Sequence, residues 1–258
     1  MRTVAATRYV TPLREGGSLP AVIEADDGEL YVVKFRGAGQ GVRALVAELV
    51  VGELARAAGL EVPGIALVTL DSMLGRNEPD AEIRDLLRAS VGVNLGLAYL
   101  PGAIAYDPIA PPAVDEALAS AIVWLDACVM NVDRTPRNPN LLLWNGGLWL
   151  IDHGAALYFH HAWASAAASA ASVFPQVRDH VLLPRASRVE SAGRELRGRL
   201  DAPRREAILS AVPDDWLARG TADDPRETRA AYARWLGARF ENSATFEEEA
   251  QRARSALV

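Results

Sequence analysis

The sequence predicts an α+β fold in two lobes, a small antiparallel β-rich N-terminal lobe over residues 1–100 and a larger helical lobe over residues 101–258. Two observations predict this division. Short apolar runs separated by Gly, Asp and Pro occupy the N-terminal stretch, as in strands joined by tight turns. After Gly154 the chain is alanine-rich, with amphipathic segments punctuated by prolines, which is typical of helices. With 258 residues, half of them hydrophobic, the chain can bury such a two-lobed core.

Composition narrows the class of protein. The net charge of −6 and the lack of a basic run argue against a dedicated nucleic-acid binder. The single cysteine, Cys128, excludes an internal disulfide and lies in an apolar helical run, where burial is expected. No run of about 18 apolar residues occurs, and the N-terminus lacks the apolar stretch of a signal peptide. We therefore expect a cytoplasmic protein that does not enter a membrane.

Residues 7–36 are predicted to form three strands. These strands lie at residues 7–10, 19–25 and 30–35. The first connection contains Gly16, Gly17 and Ser18. Because glycine has no Cβ to hold a ligand away, the backbone N–H groups of this connection can lie against phosphates. A second glycine-rich stretch, residues 37–41, lacks the G-x-x-x-x-G-K-[ST] spacing, which excludes a Walker A loop.

Lys34 is the only lysine among the 27 basic residues, and it lies within the third predicted strand. A compact ammonium accepts a different phosphate geometry from a planar guanidinium, so a lone lysine in an arginine-rich chain indicates a function. The next segment, residues 42–59, has apolar residues at helical spacing. It carries Glu48 among apolar neighbours, where a carboxylate needs a partner, and we predict that the partner is Lys34. Glu53, on a different helical face, is the rival candidate.

A strand at residues 65–70 and a short helix at residues 81–88 precede another apolar extended run at residues 94–100. That run stops at Pro101-Gly102, a break that suits a connection between lobes. Backbone amides exposed at such a connection can recognise an adenine edge. The candidates are Gly96, Leu97, Ala98, Tyr99 and Leu100.

Residues 115–130 predict a strongly apolar helix that runs directly into a polar loop. A buried helix that ends in a polar loop holds catalytic groups in place, and the candidate here is Asp133. Arg134 and Arg137 follow it. These arginines either neutralise phosphate, pair with Asp133 or lie on the surface.

A β-hairpin follows the loop. Its predicted strands are Leu141–Trp144 and residues 148–151, around the turn Asn145-Gly146-Gly147. The hairpin brings Asn140, before the first strand, beside Asp152, after the second. Oxygen ligands at adjacent strand ends, with Asp133 a short loop away, form a site for a hard cation and a polyphosphate, as phosphoryl transfer requires. By contrast, His153, His160 and His161 match no zinc-binding spacing.

The order of these parts resembles the protein-kinase-like fold, and within it the HipA-like kinases and their phosphoinositide-3-kinase-like relatives. Asp133-Arg134 is similar to the start of their D-R-H-x-x-N motif, and residues 48–63, ELVVGELARAAGLEVP, resemble the helix and the G-L-x-V-P segment of HipA. The resemblance covers about residues 7–160. It implies a kinase that uses ATP and Mg²⁺, with a protein Ser/Thr hydroxyl as the first candidate acceptor and a small-molecule hydroxyl as the second.

Carried over residue by residue, the resemblance implies that Lys34 contacts the α- and β-phosphates and pairs with Glu48. Asp133 would orient the attacking hydroxyl and accept its proton, with Arg134 in the same catalytic group. Asp152 would hold Mg²⁺.

The resemblance leaves the second metal ligand open between two asparagines. The five-residue spacing after the catalytic aspartate selects Asn138, whereas adjacency to the following strand selects Asn140. We favour Asn140, because the hairpin fixes its position relative to Asp152. Two further positions depart from the family pattern: Thr135 replaces the usual histidine, and His153 replaces the apolar residue of D-F-G.

Two other functions remain as alternatives. One is a pseudokinase, a nucleotide-binding regulator that keeps the fold without the chemistry. The other is an α/β interaction protein in which the polar loop merely caps the hairpin. The joint presence of Lys34, Asp133 and Asp152 argues against the pseudokinase, because a binding module does not need all three.

Overall fold

The computed structural model describes residues 1–13, 19–76, 78–109, 114–218 and 224–257. Its N-terminal part is a closed five-stranded barrel with the strand order β1-β2-β3-β5-β4. The strands are β1 (Arg2–Pro12), β2 (Ala21–Ala25), β3 (Leu30–Lys34), β4 (Ile65–Leu70) and β5 (Gly92–Ala98). The predicted α+β class, with a β-rich N-terminal part and a helical C-terminal part, is confirmed.

The barrel corrects the prediction of a purely antiparallel sheet. Strand β1 runs parallel to β4, and the other four strand pairs are antiparallel. Residues 2–5 of β1 pair with β4 and residues 6–12 pair with β2, with shifts in register near Ala6 and Tyr9. Such irregularities bend a strand, which lets β1 serve two partners and close the barrel. The predicted strand began at residue 7 and so omitted the parallel segment.

The barrel has its own apolar interior, in which Ile23, Tyr31 and Val68 are buried. A Cβ at Gly96 would lie 2.6 Å from Val68 Cγ2, so the close approach at this point requires glycine. Helix α2 (Ala81–Ala89) contributes two buried side chains to the same cluster.

Helix α3 (Glu116–Val129) runs through the larger apolar core. Its Trp124 is fully buried and meets the rings of Phe240 and Phe246 edge-on, at centroid distances of 5.5 and 5.6 Å. The other helices are α1 (Gly41–Ala57), α4 (Ala166–Ala170), α5 (Val189–Arg199), α6 (Ala202–Ser210), α7 (Asp214–Leu217), α8 (Pro225–Glu241) and α9 (Ser243–Ser255). Among the described residues, no helix combines the length and the apolar character that crossing a bilayer requires.

Helix α1 connects the barrel to the C-terminal helices. It packs against β4 and β5 and also against α6 and α7. Trp216 of α7 adds a hydrogen bond from its Nε1 to the carbonyl oxygen of Val93 in β5, at 3.2 Å. Arg36, just beyond β3, forms a partly exposed ion pair with Asp215 at 3.5 Å. The strand that carries Lys34 is therefore fixed relative to the helices.

The predicted hairpin consists of β7 (Leu141–Trp144) and β8 (Gly147–Leu150), with the short strand β6 (Ile104–Ala105) beside β7. Its turn has two residues rather than the predicted three. Asn145 and Gly146 both adopt positive φ, 47° and 76°, which matches the twist of the flanking strands.

The chain after Gly154, which the sequence predicts to be helical, forms regular α-helix only in part at residues 158–172. The chain there forms two 3-10 turns, Tyr158–His161 and Trp163–Ser165, before the short helix α4. Phe159 stacks on Trp235 at a centroid distance of 4.1 Å. This tertiary contact anchors the segment, and the alanine-rich pattern gave no indication of it.

A substitution at Gly193 of α5 tests how closely that helix packs against α3. A Cβ there would contact Trp124 Nε1 and lie 2.5 Å from Glu247 Oε1. We expect Gly193→Ala to lower the free energy of unfolding by about 1–3 kcal/mol in urea titrations, because buried groups must move apart. Gly198→Ala is the matched control in the same helix, with no neighbouring atom within 4 Å. It should stabilise the protein by about 0.5–1 kcal/mol through helix propensity, and equal effects of the two changes would contradict the packing.

Candidate active site

Lys34 lies between two carboxylates from distant parts of the chain. It is the last residue of β3, and its Nζ is 2.8 Å from Glu48 Oε2 on α1 and 2.5 Å from Asp152 Oδ1 beyond β8. The Glu48 side chain is fully buried and that of Lys34 nearly so. The predicted pairing of Lys34 with Glu48 is confirmed. The rival, Glu53, instead lies near Arg56 on its own helix.

Burial and neighbouring charges shift the pKa values of Lys34, Glu48 and Asp152 differently. Burial disfavours the charged amine of Lys34, but Glu48 and Asp152 outweigh it and raise the pKa of that amine. Burial also opposes the ionisation of Asp152, yet the Lys34 ammonium holds the pKa of that carboxyl below its usual range. Burial raises the pKa of Glu48 despite its cationic partner. One ammonium thus faces two carboxyl groups, and the half-exposed Asp152 is the one that a further cation can reach.

Asp133 is held by two asparagines. Helix α3 ends at Val129, and Met130 follows with a φ of 56°, which turns the chain into the loop. Asn138 and Asn140 each donate an amide N–H from Nδ2 to Asp133 Oδ2, at 2.8 and 3.3 Å. These bonds fix the plane of the carboxylate. They leave its Oδ1 and the two amide oxygens as possible contacts for a ligand.

Asp133, Asn138 and Asp152 line one cleft of about 930 Å³. The structure therefore brings the predicted catalytic carboxylate beside the predicted metal-ligating aspartate and one of the two candidate asparagines. Asn140 is mostly buried, with a φ of 50°. Lys34 lies behind Asp152 and is not among the described residues that line this cleft.

The segment predicted to contact adenine uses most of its backbone amides within the fold. Gly96 and Leu97 lie inside β5, which pairs with β3 on one side and β4 on the other. The N–H groups of Ala98 and Tyr99 donate to backbone carbonyls at 2.7 and 2.9 Å. The expectation of a row of exposed amides is therefore wrong for these four residues, and a nucleotide contact at Leu100 stays a prediction. The other candidates, Gly16, Gly17 and Ser18, lie outside the described residues.

Arg134 does not reach the cleft. Its side chain is wholly buried, and its Nε lies 2.5 Å from Asp126 Oδ2 on α3. The prediction that Arg134 neutralises phosphate or pairs with Asp133 is therefore wrong. His180 Nε2 and Asn131 Nδ2 also contact the Asp126 carboxylate, at 3.0 and 2.8 Å. Burial opposes ionisation, but the Arg134 guanidinium and His180 hold the pKa of Asp126 far below its usual range.

Arg134 also joins the loop to the segment after the hairpin. Its Nη1 donates to the carbonyl oxygen of Asn140, and its Nη2 lies 3.3 Å from His153 Nδ1. Burial lowers the pKa of His153 to about 3, so the ring is neutral and Nδ1 accepts this hydrogen bond. One guanidinium thereby fixes Asn140, which contacts Asp133, and His153, which follows Asp152. Arg134 acts as a positioning residue.

Sequence reasoning missed Asp126 and His180. Asp126 lies deep in the apolar run of α3, where a carboxylate needs a partner for the same reason that singled out Glu48. The sequence around Asp126 therefore already indicated that this carboxylate has a buried partner. His180 lies 54 residues further along the chain, in a segment without a periodic pattern, and no local signal connects the two.

The residues around Asp152 fit a hard divalent cation. The carboxylate is half exposed and turns one oxygen toward Lys34. The remaining oxygen and the amide oxygen of Asn138 or Asn140 are the ligand atoms that Mg²⁺ prefers. Mg²⁺ commonly takes one or two protein ligands and completes its octahedral shell with water and phosphate oxygens.

The buried ion pair between Arg134 and Asp126 yields a stability prediction. Arg134→Met leaves the Asp126 carboxylate without its cation, which we expect to lower the free energy of unfolding by about 3–5 kcal/mol. Arg137→Met is the matched control, because Arg137 lies in the same loop but is exposed. It should change stability by about 0.5 kcal/mol or less. Chemical denaturation of both variants measures this, and comparable losses would refute the assignment of Arg134 to the interior.

Comparison with known proteins identifies the fold and the family of the chain. The chain is similar in structure to the crystal structure of the proinflammatory kinase CtkA of Helicobacter pylori, with a TM-score of 0.57 and 12% sequence identity over 99% of this chain and 98% of that one. At that identity the likeness shows a shared fold. No curated protein matches the chain. The profile of the family described as HipA-like kinase matches residues 7–246, and because this match spans nearly the whole sequence, the chain belongs to the HipA-like kinase family.

Proposed function

We propose that this protein is an ATP- and Mg²⁺-dependent kinase that transfers the γ-phosphate of ATP to a hydroxyl group, with protein Ser/Thr as the first candidate acceptor. The observation that carries the proposal is the position of Lys34 Nζ between Glu48 and Asp152, 2.8 and 2.5 Å away, with Asp133 on the same cleft as Asp152. A phosphate-binding cation, a metal-binding carboxylate and a catalytic carboxylate are the parts that phosphoryl transfer requires.

In this proposal the nucleotide lies between two lobes, residues 1–100 and residues 101–258. Lys34 contacts the α- and β-phosphates, and Glu48 holds the ammonium in position from α1. Gly16, Gly17 and Ser18 cover the phosphates, and Leu100 lies at the adenine. The barrel has its own apolar cluster, whereas α1 and part of β5, both within residues 1–100, pack in the larger cluster together with the C-terminal helices.

Asp152 would hold Mg²⁺ together with Asn138 or Asn140. When bound, the ion supplies neutralisation of the charge on the phosphates. Asn138 is exposed and lines the cleft, whereas Asn140 is fixed by its strand and by Arg134. Each asparagine bonds Asp133 through its Nδ2, so its amide oxygen is the atom that would face the metal.

Asp133 orients the acceptor hydroxyl and takes its proton. As the acceptor oxygen bonds to the γ-phosphorus, the bond from that phosphorus to the β,γ-bridging oxygen breaks and ADP leaves with the electron pair. The two asparagine N–H bonds to Oδ2 hold the carboxylate so that Oδ1 is the proton acceptor. Most of the rate enhancement comes from positioning and charge stabilisation.

A pseudokinase of the same fold is the main competing function. The presence of Lys34, Asp133 and Asp152 together counts against it. A small-molecule hydroxyl is the second candidate acceptor. One observation favours it, because the cleft beside Asp133 has a volume of about 930 Å³, within the range of small-ligand pockets.

Asp133→Asn should abolish phosphate transfer while nucleotide binding is retained. The amide keeps the size of the carboxylate but cannot take the proton, so we expect kcat to fall by about 10²–10⁴-fold. Transfer from γ-labelled ATP measures activity, and the shift in melting temperature with Mg²⁺ and a non-hydrolysable ATP analogue measures binding. Unchanged transfer by the variant would defeat the role given to Asp133.

Glu48→Gln and Glu53→Gln compare the fully buried carboxylate with a partly exposed one on the same helix. Loss of the Glu48 charge removes one of the two anions that hold Lys34, so kcat/KM for ATP should fall by about tenfold or more. Glu53→Gln should have little effect, because Glu53 lies near Arg56 and away from the triad. Initial rates at varied ATP concentration provide the measurement, and equal effects of the two changes would contradict the proposed role.

A further inference from the structure

Arg239 of α8 is a buried cation that takes no part in the chemistry proposed above. Its side chain is fully buried, and burial lowers the pKa of the guanidinium, yet an arginine stays protonated at neutral pH. No carboxylate of the described residues pairs with it. Its hydrogen bonds go to backbone carbonyls, and its Cζ lies 4.4 Å from the centre of the Phe246 ring. Because a buried charge is costly without compensation, these carbonyls must supply it.

The guanidinium caps the C-terminal turn of α3. Its Nε donates to the carbonyl oxygen of Cys128 at 3.0 Å, and its Nη2 donates to that of Ala127 at 2.9 Å. The carbonyl groups in the last turn of a helix have no donor within the helix and carry the negative end of the helix dipole. Arg239 therefore satisfies two of these carbonyls, and the dipole of α3 stabilises its charge in the place of a carboxylate.

The same turn of α3 holds the chain segments of two carboxylates in the cleft. Val129, the last residue of α3, is followed by the loop that contains Asp133. The carbonyl oxygen of Val129 accepts the N–H of Leu157 at 2.8 Å, and Leu157 belongs to the segment that follows Asp152. The two carbonyls that Arg239 caps directly precede Val129 in the chain. A shift of this turn would therefore displace the loop of Asp133 and the segment after Asp152.

The other side of the guanidinium contacts the end of α4. Its Nη1 donates to the carbonyl oxygen of Ser172 and lies 3.5 Å from that of Ala170, the last residue of α4. Helix α4 follows the two 3-10 turns whose Tyr158 and Trp163 line the cleft. One guanidinium thus joins the ends of two helices. Its planar fork of N–H groups makes these contacts in different directions, which the single ammonium of a lysine cannot reproduce.

We propose that Arg239 is a positioning residue for phosphate transfer, because it fixes the turn of α3 from which the Asp133 loop extends. This inference rests on the proposed kinase function. Arg239 lies in the interior and acts through backbone carbonyls, so it touches neither the nucleotide nor the acceptor. Lys34 and Glu48 lie on β3 and α1, which the guanidinium does not contact. Arg239 should therefore affect the transfer step more than the binding of ATP.

The first experiment separates kcat from KM in the full chain, with γ-labelled ATP, Mg²⁺ and dephosphorylated casein as the acceptor. Arg239→Lys keeps the charge and loses the fork, and we expect kcat to fall by about 10- to 100-fold, because small displacements of catalytic groups are costly. KM for ATP should change by less than about threefold. Arg234→Lys is the matched control, because Arg234 lies on the same helix and is exposed, and it should behave like the wild type. Rates are measured well below the melting temperature of each variant.

Gly193→Ala separates positioning from a general loss of stability. This change lowers stability through the contact of α5 with Trp124 and does not touch the end of α3. A kcat near the wild-type value in Gly193→Ala, together with the fall in Arg239→Lys, supports the proposal. An unchanged kcat in Arg239→Lys, or an equal fall in Gly193→Ala, would overturn it. Arg239→Gln, which keeps an amide donor, is the second variant, and failure of both to fold would assign Arg239 to the fold alone and overturn the positioning role.

The second experiment needs no substrate. Hydrogen exchange is followed by mass spectrometry in peptides that cover residues 130–140 and 155–162. Arg239→Lys should speed exchange there by about tenfold or more, whereas Arg234→Lys should not, and the amide of Leu157 reports directly on its bond to Val129. Unchanged exchange in Arg239→Lys would overturn the proposal.

The two experiments also distinguish this proposal from the kinase function. If the wild-type protein neither transfers phosphate nor shows a melting-temperature shift with an ATP analogue, the kinase function fails. The exchange measurement still shows in that case whether Arg239 holds the loop of Asp133. Transfer by the wild type with no change in kcat or exchange in Arg239→Lys would overturn the role of Arg239 and leave the kinase function intact.

Discussion

The arrangement of the whole site depends on one buried ammonium that pairs with two carboxyl groups. Lys34 is 14 residues from Glu48 and 118 residues from Asp152 in the sequence, and it contacts both. A buried charge without a partner is far more costly than a misplaced surface side chain. The barrel that carries Lys34, the helix that carries Glu48 and the hairpin that precedes Asp152 must therefore dock in one arrangement. The same contact that selects this arrangement places Lys34, the proposed phosphate ligand, beside Asp152, the proposed metal ligand.

A second buried ion pair fixes the loop that contains Asp133. Asp126 lies in the last turn of the largely buried helix α3, and Arg134 turns inward from the loop to meet it. The guanidinium then holds Asn140 and His153 through its remaining nitrogens. The described residues offer no hydrogen-bond partner to the buried Nε2 of His153, so Arg134 is the group that holds this ring. Because Asp126 belongs to the buried helix α3, its ion pair with Arg134 fixes the position of the loop that contains Asp133.

The site could be predicted from the sequence where an unpaired buried charge would be costly and few partners were available to it. A lone lysine on a strand and a carboxylate in an apolar helix had few other partners, so their pairing followed. The hairpin was equally constrained, because Asn145-Gly146 fixes the turn and thereby the neighbours of its strand ends. Other features had no such local constraint. The parallel contact of β1 with β4 depends on register between segments about sixty residues apart, which no local pattern encodes.

Arg134 shows the limit most clearly. A loop arginine next to Asp133 has three kinds of partner open to it, phosphate, solvent or a buried acid, and the choice depends on Asp126 in another element. A buried carboxylate needs a cationic partner at Asp126 as it does at Glu48, and at Asp126 that partner is Arg134. The free-energy cost of an unpaired buried charge is thus the most informative signal in this sequence. It predicted the partner of Glu48 in α1, and it holds equally for Asp126 in α3, which the prediction omitted.

The two departures from the family motif follow from this second network. Where D-F-G has an apolar residue, His153 is buried and neutral, and its Nδ1 accepts a hydrogen bond from Arg134 at 3.3 Å. Thr135, in place of the usual histidine, accepts the backbone N–H of Asn138 through its Oγ1 at 3.3 Å and tightens the loop. Asp152 adopts a φ of 56°, and its side chain meets Lys34 while that of the next residue meets Arg134. Adjacent residues thus join the two ion-pair networks, Asp152 through Lys34 and His153 through Arg134.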